Sequence, residues 1–297
     1  MAEDIHTLRS GDLSATVTVQ GAELCSLKTD AGLEFIWQAG PGWPRHAPLL
    51  FPIVGRLKND ELRHQSKAYR MTQHGFARDR QFEWLERSAT QCVLALSDDA
   101  ETRAIYPFAF RLVVTYSLDQ AGLEVQLQVV NTGEEVLPAS LGGHPAFNWP
   151  LVPGERKENY SLTFSQDEPH PIRRLEGGLL GASAPSPVNN RVLALTEALF
   201  IDDAIIFDCL ESSSVRYAAE RGPWVRVSWS GFRELGIWSK PSGAPFLCIE
   251  PWRGYASPLA FDGEFASKPG VMHIAPGAEE TLSFRIAVGT SIRSQRR

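Results

Sequence analysis

Leu123-Glu124-Val125-Gln126-Leu127-Gln128-Val129 alternates apolar and polar residues at every step. Successive side chains of an extended strand point to opposite faces, so this run buries one face and wets the other. The same period of two recurs in Val225, Val227 and Trp229, which enclose Arg226 and Ser228. It returns in Leu282, Phe284, Ile286 and Val288, and in Ala15, Val17 and Val19. Further β-rich runs cover Arg111–Leu118, Tyr160–Phe164 and Ala204–Phe207. No long segment repeats apolar residues at the helical spacing i, i+3, i+4, i+7. The 24 Gly and 20 Pro fall largely between the β runs, where turns belong. The pattern predicts an all-β chain, a sandwich or a barrel. Pro153–Asn159 and Gly177–Asn190 read as long loops. Patterning continues on both sides of each without a shift in composition, so residues 1–297 are expected to form a single domain. Its core is expected over about 12–288, with the polar, basic 291–297 a frayed end.

A chain of 297 residues, 43% hydrophobic, can bury a large core without metal or disulfide staples. A net charge of −6 and a pI near 5.7 argue against a nucleic-acid binder and give no reason to expect an anionic membrane as partner. Cys25, Cys92, Cys209 and Cys248 are too widely spaced for a zinc or redox motif, and buried, reduced thiols are expected. Met1–Ser10 is polar and acidic rather than basic and then apolar, so no signal peptide is read there. No run of 18 apolar residues occurs. A reducing, cytoplasmic setting is the expectation.

Four stretches look unlike ordinary sandwich sequence. In Leu50-Phe51-Pro52-Ile53-Val54-Gly55-Arg56-Leu57, the forked guanidinium of Arg56 either holds oxygens at a cleft or forms a surface salt bridge. In Gln73-His74-Gly75-Phe76-Ala77-Arg78, His74 is either a ligand donor or a core histidine satisfied by backbone. Leu141-Gly142-Gly143-His144-Pro145-Ala146-Phe147-Asn148-Trp149 is harder to explain by packing. Gly-Gly permits close approach, Pro145 holds His144 extended, and a fixed His is a natural proton donor or acceptor. In Phe246-Leu247-Cys248-Ile249-Glu250-Pro251-Trp252, Glu250 ends an apolar strand. Burial there should raise its pKa, as a general base working near neutrality requires, unless the residue is a structural ion-pair partner.

Taken in order, these stretches resemble the aldose 1-epimerase (galactose mutarotase-like) family, from about Asp12 to Val288. The resemblance is closest to its bacterial lactose-operon-type branch and to the related hexose-6-phosphate epimerases. It implies a large antiparallel β-sandwich with an open cleft. It also implies that Glu250 is the general base and His144 the general acid, with His74 and Arg56 binding sugar oxygens. Asp203 matches the family's substrate-binding Asp, although the usual Asp-His pair is Asp203-Ala204 here. No cofactor is implied.

The expected reaction interconverts the α and β anomers of an aldohexose. Glu250 takes the O1 proton, protonated His144 supplies the ring oxygen, the ring opens, C1–C2 rotates, and closure reverses the roles. Trp37, Trp149, Trp238 and Trp252 are each either core or a ring for the C–H face of a pyranose, and Trp238 is the candidate. Arg78 can reach a sugar phosphate, and a surface salt bridge is its alternative. Three rivals stand beside this reading: a metal enzyme built on His74, His144 and Glu250, a non-catalytic sugar-binding protein, and a hexose-6-phosphate 1-epimerase. The expected partner is a small-molecule sugar, free or phosphorylated, bound by a monomer or weak homodimer without metal.

Overall fold

A computed structural model describes residues 4–241 and 243–290. The frayed end expected over 291–297 lies outside the described residues. Two antiparallel sheets dominate. The first has nine strands, ordered Val192–Ala194, Tyr160–Phe164, Ser214–Ala219, Trp224–Ser230, Glu279–Gly289, Gly122–Asn131, Phe110–Asp119, Gln91–Ser97 and Glu83–Arg87. The second runs Leu179–Ala184, Ile172–Glu176, Ile205–Phe207, Glu234–Trp238, Phe246–Arg253, Leu141–Gly143 and Leu49–Leu50, with Ala146–Asn148 paired beside Phe246–Arg253. Smaller sheets join Ile5–Ser10, Leu13–Thr18 and Leu24–Thr29, and pair Leu137–Ala139 with Met272–Ile274.

The period of two becomes burial directly. Leu123, Val125, Leu127 and Val129 are buried in the main core, while Gln126 is exposed. Leu282, Phe284, Ile286 and Val288 join the same core from the neighbouring strand. The second sheet supplies Leu247, Ile249, Leu235 and Ile237 from its inner face. Its central strand Phe246–Arg253 is buried on both sides, which is why it reads as a continuous apolar run rather than an alternation. Alternate residues of that strand diverge. Leu247 and Ile249 enter the core between the sheets, whereas Phe246, Cys248 and Trp252 join separate clusters on the other face.

Gly177–Asn190 is not one loop. Leu179–Ala184 is a strand paired with Ile172–Glu176, and Gly177 and Gly178 form the turn between them at φ +60° and +83°. The Gly, Ser and Ala that hid this strand suit a short edge strand, where pairing on one side is enough. One short α-helix, Ala100–Ile105, is capped reciprocally by Asp99 and Thr102. The four cysteines are free; Cys92 and Cys248 are buried as expected, but Cys209 is exposed and Cys25 half-buried. No helix among the described residues is long and apolar enough to cross a membrane.

Candidate active site

Glu250 faces away from the inter-sheet core because it alternates with Leu247 and Ile249, and it lines a cleft of about 310 Å³. That volume is at the lower end of small-molecule sites, which span about 300–1,000 Å³. Gly236 lies opposite Glu250 in register, and a Cβ there would stand 2.4 Å from the Trp252 ring. The glycine therefore gives Trp252 its place on the cleft wall beside the carboxylate.

His144 sits between the strands Leu141–Gly143 and Ala146–Asn148, and its backbone N–H donates to the Pro48 carbonyl at 3.0 Å. Gly143 is needed immediately before it, since a Cβ would lie 2.7 Å from the Phe284 ring of the opposite sheet. The imidazole Nε2 lies 3.2 Å from Oε2 of Glu250, with both side chains more than nine-tenths buried. Trp43 stacks on the imidazole at 5.0 Å and 28°, and Trp238 meets it edge-on at 5.9 Å.

Burial pushes Glu250 well above the usual carboxylate range. The nearby Asp203 adds to the rise, while the Trp252 indole N–H opposes it without closing a hydrogen bond of ordinary geometry. Burial pushes His144 down to about 3, and Arg78 and Arg45 work in the same direction. Both shifts disfavour charge, so burial moves the pair away from carboxylate and imidazolium and toward carboxylic acid and neutral imidazole. The two states contain the same number of protons and differ by one transfer across 3.2 Å.

His74 also lines the cleft, in left-handed backbone at φ +67°. The Gly55 N–H donates to its Nδ1 at 3.2 Å, so the neutral ring carries its proton on Nε2 and acts there as a donor. Burial, then His144 and Arg78, holds its pKa well below the usual histidine value, which keeps it neutral. Gly75 follows because a Cβ would lie 2.2 Å from the Phe51 carbonyl oxygen. That oxygen receives the N–H groups of Phe76 and Ala77.

Arg78, Asp203 and Trp238 line the same cleft. Arg78 donates from Nη2 to the Gln73 carbonyl at 2.7 Å, and its buried Nε has no hydrogen-bond partner. Asp203 is exposed at the rim, with Oδ1 accepting from the Ala204 N–H at 2.8 Å. Arg56 does not join them. Its Nε and Nη2 grip Asp60 at 2.6 and 2.9 Å, and it is absent from the lining, so the salt-bridge alternative describes it. Trp149 is fully buried, with its indole N–H on the Lys157 carbonyl, and Trp37 donates to the Trp43 carbonyl. Neither lines the cleft, whereas Trp252 does. Sequence reasoning missed Trp43 and Gln73. The signal for Trp43 was a large aromatic in Gly40-Pro41-Gly42-Trp43-Pro44, a turn-forming composition with no packing reason for an indole.

The sequence pattern of the aldose 1-epimerase family matches residues 4–272. The chain belongs to the aldose 1-epimerase family. LacX of Lactococcus lactis subsp. lactis is 35% identical over 293 residues, 95% of this chain and 98% of that protein. A galactose mutarotase-related enzyme from Lactobacillus acidophilus superposes with a TM-score of 0.90 at 35% identity, covering 99% of both chains. A galactose mutarotase-like protein from Lactobacillus casei gives 0.88 at 30% identity, over 96% of this chain and all of that one. The family and the antiparallel sheet architecture both follow the resemblance read in the sequence, and membership of this family implies an epimerase acting on a sugar.

Proposed function

We propose that the chain is an aldose 1-epimerase that interconverts the α and β anomers of an aldohexose by opening and closing the ring. The observation that carries this reading is the contact between His144 Nε2 and Glu250 Oε2 at 3.2 Å on the wall of a polar cleft. Anomerisation requires one proton to leave O1 and one to reach the ring oxygen. A buried acid and imidazole facing one another at 3.2 Å can supply both, with one proton between them, without any net charge change. A sugar hydroxyl donating toward Glu250 favours the carboxylate, and the proton passes to His144. Glu250 then takes the O1 proton while His144 protonates the ring oxygen. Rotation about C1–C2 and reversal of both transfers gives the other anomer. The Nε2–H of His74 offers a neutral donor to a sugar oxygen, and Trp238 and Trp252 offer apolar faces to the pyranose.

Each transfer by a placed group contributes about 10²–10⁴-fold. Glu250→Gln should therefore slow mutarotation of freshly dissolved α-glucose by that range, followed by polarimetry. A near wild-type rate in this variant would refute the assignment.

Arg78 favours a second reading, a hexose-6-phosphate 1-epimerase. It lines the cleft with an Nε that makes no hydrogen bond and only a 3.8 Å ion-pair contact to Asp79, and burial, then the neighbouring Arg45, lowers its pKa. Phosphate oxygens suit such a fork. Rates on glucose, galactose and glucose 6-phosphate, compared in wild type and Arg78→Ala, separate the two readings: only a phosphorylated substrate should lose KM selectively in the variant.

A further inference from the structure

Glu250 and His144 are not alone. Cys248 precedes Glu250 by two positions, so both side chains leave the same face of the strand Phe246–Arg253. Ala146 and Trp238 are its register partners on either side. Ligand atoms of His144, Cys248 and Glu250 all lie within 4.8 Å of one another, and all three residues are buried. A tetrahedral zinc ion with nitrogen and oxygen ligands at about 2.0–2.1 Å and sulfur at about 2.3 Å sets its ligands about 3.3–3.6 Å apart. The Nε2 to Oε2 distance of 3.2 Å is already near that edge, and the remaining closure is within the reach of side-chain rotation.

A second observation points to a ligand. Oε2 of Glu250 is a buried polar atom that makes no hydrogen bond of ordinary geometry, even with the imidazole Nε2 3.2 Å away. Buried polar groups are ordinarily satisfied, so this oxygen marks where a group from outside is accommodated. His144 and Glu250 line the cleft, while Cys248 lies buried behind them.

We propose that His144, Cys248 and Glu250 form an inhibitory site for a thiophilic divalent cation of the zinc class. An imidazole, a thiolate and a carboxylate suit zinc, cadmium or cobalt and not magnesium, which wants oxygen ligands. On binding, the thiol proton and the proton held by the Glu250–His144 pair leave to solvent, and three metal–ligand bonds form in their place. No electron moves. The cation occupies both groups that the proposed acid–base chemistry needs, so it stops turnover. Only this inhibitory consequence rests on that reading; the metal site itself does not.

The test uses the whole chain carrying Cys25→Ser and Cys209→Ser, which removes the other accessible thiols. Cobalt(II) added to this protein should give a thiolate-to-cobalt charge-transfer band in the near ultraviolet, and zinc chloride should displace it. Zinc should inhibit mutarotation reversibly, with activity restored by EDTA. Adding Cys248→Ala should abolish the band and raise the inhibiting zinc concentration at least tenfold, with the metal-free rate within twofold of the parent. Cys248→Ser serves as the second variant if the alanine protein does not fold. Absence of the band, or zinc inhibition unchanged in the Cys248 variants, overturns the site. The spectrum is read without turnover, so it decides the metal site even if the chain does not mutarotate sugars.

Discussion

In the unfolded chain Glu250 ionises near 4.5 and His144 near 6.5, whereas burial in the folded cleft raises the first and lowers the second to about 3. Between pH 4.5 and 6.5 the unfolded pair is carboxylate plus imidazolium, and burial moves the folded pair toward acid plus neutral imidazole. Both hold equal numbers of protons, so the pair contributes no pH slope to stability there. Below 4.5 the unfolded Glu250 gains a proton and stability falls as pH falls. Above 6.5 the unfolded His144 loses its proton, so stability falls as pH rises for as long as the raised Glu250 holds its own in the folded state. One proton corresponds to about 1.4 kcal/mol per pH unit. Wild type should therefore lose more stability than Glu250→Gln as pH rises above 6.5, by at most about 1.4 kcal/mol per pH unit, measured by urea denaturation without sugar. Parallel curves for the two proteins would sink the claim that burial raises the Glu250 pKa in the folded protein. The sequence already exposed this carboxylate, because a charge at the end of an apolar strand has few explanations. It misled at Arg56, because a residue beside a glycine in a motif can turn either way, and Asp60 four residues on captures the guanidinium.

Among the elements, the turn at His74-Gly75 sets the geometry of the cleft most directly. His74 is left-handed at φ +67° and Gly75 at +71°, and the Phe51 carbonyl is pressed against the glycine. Gly75→Ala would place a methyl 2.2 Å from that oxygen, which cannot retreat without breaking the bonds from Phe76 and Ala77. Overpacking of this kind costs about 1–3 kcal/mol. Because the shift drags His74 off Gly55, mutarotation should fall as well. Gly177→Ala is the contrast. It has φ +60° but nothing within 4 Å of the new methyl, so a loss of about 1–2 kcal/mol from backbone conformation alone is expected, with activity kept. Equal loss of activity in both variants would show that the His74 turn has no special role. The His-Gly pair was visible in sequence as a motif, but the reason for the glycine was not, since Phe51 is distant in the chain. The strand Leu179–Ala184 escaped for a related reason. It pairs mainly on one side, so Gly, Ser and Ala suffice and the alternation that revealed the central strands is missing.

Across the whole molecule, strand order is what local patterning does not reveal, because alternation reports which face is buried and not which neighbour is paired. Glu279–Gly289 shows the consequence. It is among the last segments of the described chain, yet it lies inside the nine-stranded sheet, between Gly122–Asn131 and Trp224–Ser230. Its Leu282, Phe284, Ile286 and Val288 are buried, and the Phe284 ring supports Gly143 directly before His144. Burying four such side chains contributes about 6–12 kcal/mol at about 1.5–3 kcal/mol each. That is comparable to the total stability of about 5–15 kcal/mol of an ordinary domain. Removing the strand would also leave two long apolar strands with unpaired edges, which recruit other chains. A chain ended after Ala278 should therefore be recovered as aggregate or as an unfolded species, without a cooperative thermal transition. A chain ended after Gly289 keeps every described strand pair and should melt as the full-length protein does. Circular dichroism melts of the two truncations decide the matter. A folded, cooperatively melting chain ending at Ala278 would mean that the nine-stranded sheet closes without its inserted strand, and that the support beneath His144 comes from elsewhere.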